Sequence, residues 1–306
     1  MIELAIMVEG QNGLNWPRWQ RLVTAVEDLG FAGLYRSDHY TNASPPDLDS
    51  LELWVSLTWL AANTQRIAFG PLVTPVSFRQ PTMTARMATA VDDLSHGRLT
   101  LGLGAGWQER EHTHYGWDLL DVPGRFARFE EGLEIITRLL QSAEPVDFSG
   151  VYYQLHEAVL LPRPQRPGGP PILIGGNGPK RTLPLAAKYA QEWNAVYISA
   201  AEFAAKNRML DELLAANGRI PSDVRRSLMT RVEMGDEAAL AQKFAGSRLT
   251  MDELRARGLV LGTPEHIVAQ LGQLAEAGVQ RVMLQWLDLD DVDGLEVLAR
   301  DVLGQL

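Results

Sequence analysis

Strand and helix signals alternate along this chain from one end to the other, and that alternation restricts its fold more than any other feature. Ile2, Leu4, Ile6 and Val8 show the two-residue period of a strand. Asn15-Trp16-Pro17 then opens a helix, because proline at an early helical position gives up only an N–H that would be unpaired anyway. Trp19, Leu22, Val23, Val26 and Leu29 follow at helical spacing, and Gly30 is suited to end the helix in the left-handed conformation. Phe31 to Tyr35 is a second strand. The same pattern predicts strands at Ile67–Phe69, Leu99–Leu103, Ile172–Ile174, Trp193–Ile198, Leu228–Met234 and Val282–Leu287, with helices between them. Strands alternating with helices form a parallel sheet, and unbroken apolar runs such as Ile172-Leu173-Ile174 suit strands buried on both faces. A doubly wound sheet is the rival arrangement. A count of about eight favours closure into a (β/α)8 TIM barrel.

Two stretches interrupt the alternation, one after the fourth helix and one before the last βα unit. Residues 145–161 read as a hairpin turning at Ser149-Gly150, followed by a proline-rich run from Pro162 to Pro171. Residues 235–262 hold extra helical material ahead of Thr263-Pro264. Both are expected to be insertions covering the barrel mouth, within a single domain spanning residues 1–306.

The chain carries 28 Lys plus Arg against 38 Asp plus Glu, a formal net charge of −10, which repels phosphate backbones and argues against nucleic acid as a partner. It has no cysteine, so disulfides, thiolate nucleophiles and cysteine-held metals are excluded. His112-x-His114 lacks the companions of a metal site, and none is expected. The chain opens into a strand without a basic region and an apolar core of a signal peptide, and no apolar run is long enough to span a bilayer. A cytoplasmic location and no membrane partner are expected.

In a barrel of this kind, polar residues just beyond a strand's C-terminal end are the functional candidates. Arg36-Ser37-Asp38-His39 follows the second strand; there His39 can move a proton near neutral pH, and the bland alternative is a loop turn. Gly70 to Pro75 reads on its own as a turn. Gly102-Leu103-Gly104-Ala105-Gly106-Trp107 lacks the third glycine of a dinucleotide fingerprint, yet lets a flat ligand approach bare backbone with Trp107 as a wall. Gly175-Gly176-Asn177-Gly178-Pro179-Lys180-Arg181 offers open N–H groups at a helix start with two cations behind them, a phosphate cradle or else a plain tight turn. Glu9 ends the first strand at the same mouth.

The ordered series Glu9-Gly10-Gln11, Tyr35 to His39, Gly70 to Pro75, Ala90 to Arg98 leading into Gly102–Trp107, and Ile174 to Pro179 resembles the luciferase-like monooxygenase superfamily, in particular its deazaflavin-dependent oxidoreductase branch. The resemblance implies a barrel with insertions, usually dimeric, with a flavin-type ring in the mouth. It implies that Gly175, Gly176, Asn177 and Gly178 meet the cofactor phosphate. Leu72 and Val73 would form a bulge, often with a non-proline cis peptide, on which the ring rests, with Thr74 beside it. Asp38 would face the ring, His39 the substrate side, and Gly106 and Trp107 would line the shared space. Related sugar-phosphate dehydrogenases carry a glutamate where this chain has Trp107, so that substrate is not carried over; Glu9 and Glu109 are the acids to replace it. The expected function is hydride transfer between coenzyme F-420 and a small organic substrate, with His39 and Glu9 as catalytic residues, in a homodimer. An FMN-dependent monooxygenase and a non-catalytic flavin-binding barrel are the alternatives.

Overall fold

Residues 2–306 are described by a computed structural model. Eight barrel positions are filled, in chain order, by Glu3–Val8, Gly33–Arg36, Ala68–Pro71, Leu101–Gly104, Ile172–Gly175, Glu192–Val196, Arg225–Met234 and Arg281–Gln285. Each of these strands runs parallel to its neighbours, and the first pairs with both the second and the eighth. The third strand breaks after Pro71 and resumes as Thr74–Pro75, so the barrel contains nine parallel segments. Between its halves the Leu72–Val73 peptide bond is cis. The ring closes between the third and fourth strands, where Phe69 N–H donates to Arg98 O at 3.2 Å and Thr100 N–H donates to Phe69 O at 2.8 Å.

The strand period of two separates an outer core from an inner one. Leu4, Ile6, Val8 and Leu34 point outward into the layer between strands and helices, joined there by Trp19, Leu22 and Val26 of the helix Trp16–Asp28. Each such side chain contributes about 1.5–3 kcal/mol by leaving water. Asn15 caps that helix by accepting the Arg18 N–H, and Gly30 takes a left-handed φ of +92° beyond its end. Ala5, Met7, Tyr35, Leu173, Met229 and Met283 point inward and fill the barrel. Below them, at the strands' N-terminal end, Arg281 donates to Tyr35 Oη at 2.7 Å and Glu3 Oε2 at 2.8 Å and pairs with Glu192 at 3.3 Å, closing that end with an ion cluster.

The first insertion is an antiparallel hairpin, Val146–Ser149 with Gln154–Ala158. Its turn is held by Glu131 of the helix Val122–Gln141, whose carboxylate accepts the N–H groups of Val151, Tyr152 and Tyr153 at 2.7–3.2 Å. The second insertion holds the helices Glu237–Lys243 and Met251–Ala256, and a short strand not anticipated from the sequence, Val260–Gly262, which extends the sheet beside Val232–Met234. Neither insertion contributes a side chain to the mouth cavity, contrary to expectation. The helix Val122–Gln141 returns the chain to the opposite end of the barrel before the hairpin begins, and the second insertion builds onto the rim. A short helix, Glu109–Tyr115, was also not anticipated. Among the described residues no helix is long and apolar enough to cross a membrane.

Candidate active site

The same alternation that fills the barrel arranges the residues above it. Inward positions continue as Met7 then Glu9, Tyr35 then Ser37 and His39, Asn194 then Val196, and Met283 then Gln285. They surround a cavity of about 410 Å³ at the C-terminal ends of the strands. Of the residues expected at the site, Glu9, His39, Leu72, Val73, Gly106, Trp107, Gly175 and Gly176 line this cavity, and Asp38, Thr74, Asn177 and Gly178 do not.

Asp38 has the wrong parity. It points behind the wall, where Thr74 Oγ1 donates to its Oδ2 at 2.6 Å and Arg79 pairs with the same oxygen at 2.5 Å. Arg79 also reaches Glu52 at 2.9 Å, so Asp38 and Thr74 anchor the break in the third strand from outside. Val73 enters the cavity because glycines leave room for it: a Cβ on Gly104 would lie 2.7 Å from Val73 Cγ2, and one on Gly175 3.2 Å from Cγ1. In the glycine loop, Gly176 adopts φ +125°, which favours glycine. Asn177 fixes that loop to the sixth strand, donating to Val196 O at 2.6 Å and accepting Val196 N–H at 3.0 Å. Gly178 packs on Thr182 at the start of the helix Thr182–Tyr189, and a Cβ there would fall 2.9 Å from Thr182 Oγ1.

His39 is paired with a residue that the sequence reading missed. Its Nδ1 lies 2.8 Å from Oε1 of Glu111, whose side chain is 1% exposed. Glu111 Oε2 accepts the Tyr40 N–H at 3.1 Å. Burial works to raise the Glu111 carboxyl, but hydrogen bonds from His39, Gln108 and Tyr40 and the charge of His39 hold it below the usual carboxylate range. An ionised carboxylate only accepts, so His39 Nδ1 carries the proton, and Nε2 has no protein partner among the described residues. Burial pushes the His39 imidazolium down, and Glu111, with smaller help from Glu9 and Asp38, more than reverses this, so its pKa lies above the ordinary histidine value.

Glu109, by contrast, is exposed and lies outside the cavity. Two residues apart on one helix, Glu109 and Glu111 face different ways. The helix is fixed by His112, whose ring nitrogens lie 2.6 Å from Gln108 O and 2.7 Å from Ser77 Oγ, and by Tyr40 packed on Tyr115 and Trp117. Trp107 meets His39 edge-on, with centroids 5.6 Å apart.

Glu9 belongs to a second polar run. Gln285 Nε2 donates to Glu9 Oε1 at 2.6 Å, and Gln11 Nε2 to Oε2 at 2.9 Å. Ser37 Oγ donates to Gln11 Oε1 at 2.7 Å and accepts the Gly10 N–H at 2.9 Å. At the far end the Tyr197 hydroxyl donates to Gln285 Oε1; burial and the nearby Glu9 charge push that phenol up to about 12. Asn194, wholly buried at the cavity floor, donates to Ser227 Oγ at 3.0 Å but leaves its Oδ1 without a partner. Strand parity was the signal that would have found Ser37, Asn194 and Gln285.

The family model for luciferase-like monooxygenases matches residues 4–248. The chain belongs to the luciferase-like monooxygenase family. One relative of this luciferase-like chain, the F-420-dependent glucose-6-phosphate dehydrogenase of Kineococcus radiotolerans, is 30% identical, over 87% of this chain and 77% of its own. Among solved structures, an F-420-dependent secondary alcohol dehydrogenase in complex with an F-420–acetone adduct shares the fold with a TM-score of 0.85 at 18% identity, covering 98% of both chains. The oxygenating constituent of 3,6-diketocamphane monooxygenase of Pseudomonas putida, in complex with FMN, gives 0.77 at 16% identity, covering 100% of this chain and 99% of its own.

Proposed function

We propose that this chain is an oxidoreductase that uses coenzyme F-420 to move a hydride to or from a small organic substrate, with His39 handling the proton. The observation that carries the reading is the His39–Glu111 pair, 2.8 Å apart at the wall of the mouth cavity. The Kineococcus relative, similar over most of this chain, supports the choice of deazaflavin. The residues present suit such a group. Leu72 and Val73 offer a flat apolar rest, Gly106, Gly175 and Gly176 bring bare backbone to the cavity, and the unpartnered Asn194 Oδ1 suits an N–H donor of a heterocycle. Trp107 closes the side toward His39. Asp38, Thr74, Asn177 and Gly178 act by shaping the bulge and the phosphate loop from behind.

F-420 supplies a two-electron acceptor and donor when bound. The protein supplies orientation and proton transfer. Glu111 fixes the imidazole with Nδ1 protonated, leaving Nε2 to take a proton from a substrate hydroxyl or, once protonated, to give one to a carbonyl oxygen. Glu9, held by two glutamines, adds negative charge that favours the imidazolium. The reading includes one catalytic domain over the whole chain and a homodimer, the latter supported by exposed Val55 and Met83 on the adjacent helices Leu53–Asn63 and Pro81–Leu94. Sedimentation at several concentrations tests the dimer.

The decisive experiment is a side-by-side binding titration with F-420, FMN and NADPH. Tightest binding of F-420 is expected. A preference for FMN of about a hundredfold, about 2.7 kcal/mol, would overturn the reading in favour of a flavin monooxygenase.

A further inference from the structure

The charges around the cavity are sorted by end. At the glycine-loop end, Lys206 donates to Asn177 O at 3.0 Å and Lys180 and Arg181 stand exposed just past the loop, while Arg125 lies outside the cavity wall and reaches Gly106 O at 3.3 Å, next to Trp107. At the other end stand Glu9 and Glu111, and among the described lining residues His39 is the one group there that can carry positive charge, already paired with Glu111. Among the described residues no lysine or arginine side chain lines the cavity. The Trp107 indole, 62% exposed, stands edge-on to His39, and Met7, Val196 and Met229 complete an apolar surround.

An anion entering this end would leave water, meet two carboxylates and find no free cation. An uncharged hydroxyl or carbonyl loses far less, because His39 Nε2 is there to bond it and the apolar residues cover the remainder. From this we infer that the substrate is an uncharged alcohol or carbonyl compound with an apolar body, and that sugar phosphates are rejected. The inference rests on the deazaflavin reading above. In the oxidative direction the carbinol hydrogen would leave with the C–H electron pair as a hydride to oxidised F-420, the hydroxyl proton would pass to His39 Nε2, and an aldehyde or ketone would remain; reduction is the reverse. The anionic end of the cofactor and the neutral substrate thus take opposite ends of one cavity, which separates this chain from the sugar-phosphate dehydrogenases it resembles.

The test begins with a fluorescence titration of F-420 against the whole protein. The loaded protein is then compared on cyclohexanol and benzyl alcohol against glucose 6-phosphate, by kcat/KM. Binding is read separately by saturation-transfer NMR with cyclohexanone and glucose 6-phosphate. The neutral alcohols are expected to exceed glucose 6-phosphate by at least about a hundredfold in kcat/KM, about 2.7 kcal/mol, with saturation transferred to cyclohexanone only. Equal or better binding or turnover of glucose 6-phosphate overturns the inference, and so does the absence of transfer to cyclohexanone; in both cases F-420 binding leaves the deazaflavin reading standing. Failure of F-420 to bind at the first step removes both.

Discussion

Glu111→Gln keeps the shape of the buried side chain and removes its charge, so it isolates what the carboxylate does for His39. The wild-type contact is a hydrogen bond of 2.8 Å between an ionised acceptor and a ring N–H, with Glu111 1% exposed. Hydrogen bonds to charged groups contribute roughly 1.5–3 kcal/mol, and losing that much from the transition state slows turnover roughly 10- to 150-fold. The amide has a further effect. With its oxygen kept on the Tyr40 N–H, its NH2 group faces His39 Nδ1, which favours the tautomer with Nε2 protonated and unable to accept a proton. Burial then becomes the larger influence on His39, and its pKa moves down from its raised position. In carbonyl reduction, which needs protonated His39, the decline of kcat/KM with rising pH should therefore begin at lower pH in the variant. The assay is the change in deazaflavin absorbance across a pH series for the parent, E111Q, His39→Ala and the double variant. Strong non-additivity is expected because the two residues act together. Superposable pH profiles with kcat within about twofold of the parent would refute the reasoning and leave Glu111 with a packing role only.

Arg79→Met leaves Asp38, 4% exposed, with Thr74 alone, and should cost about 3–5 kcal/mol in urea denaturation; a loss below about 1 kcal/mol would show that Asp38 is satisfied without it. Gly104→Ala places a Cβ 2.7 Å from Val73 Cγ2 and should destabilise by about 1–3 kcal/mol while weakening F-420 binding; unchanged affinity would mean the bulge does not carry the cofactor. His39 has a raised pKa in the folded chain, so its pairing stabilises fully below the ordinary histidine value of about 6.5 and is lost as pH rises through the folded value. A decline of Tm over that window, reduced in E111Q, is the expected result, and equal slopes in the two proteins would contradict it.

Much of the barrel was legible because strand and helix periods differ and recur. Glycines and prolines marked the boundaries, and the hairpin was visible in Ser149-Gly150. The short strand Val260–Gly262 was hidden because three residues carry too little pattern, and its pairing with Val232–Met234 is a tertiary matter. At the site, the strand exits do surround one cavity, but their side chains had not been sorted by parity. Counting from Tyr35 puts His39 inward and Asp38 outward, and counting from Met283 reaches Gln285. Glu111 was harder to find, since it sits on a seven-residue helix whose orientation is fixed by Ser77 and Tyr40, both distant in sequence. The Asp38–Arg79 pair spans 41 residues and left no local trace.

The ion cluster of Arg281, Tyr35, Glu3 and Glu192 stops the barrel at its lower end, and the packed layer of Ala5, Leu173 and Met283 lies above it. The cavity is therefore closed at its floor and opens at the C-terminal ends of the strands. A ligand seated on the floor beside Asn194 has to arrive before one that settles against His39 and Trp107 nearer the rim, and it departs after it. Two-substrate kinetics in such a well are expected to follow a compulsory order, the deeper partner binding first and leaving last in each turnover.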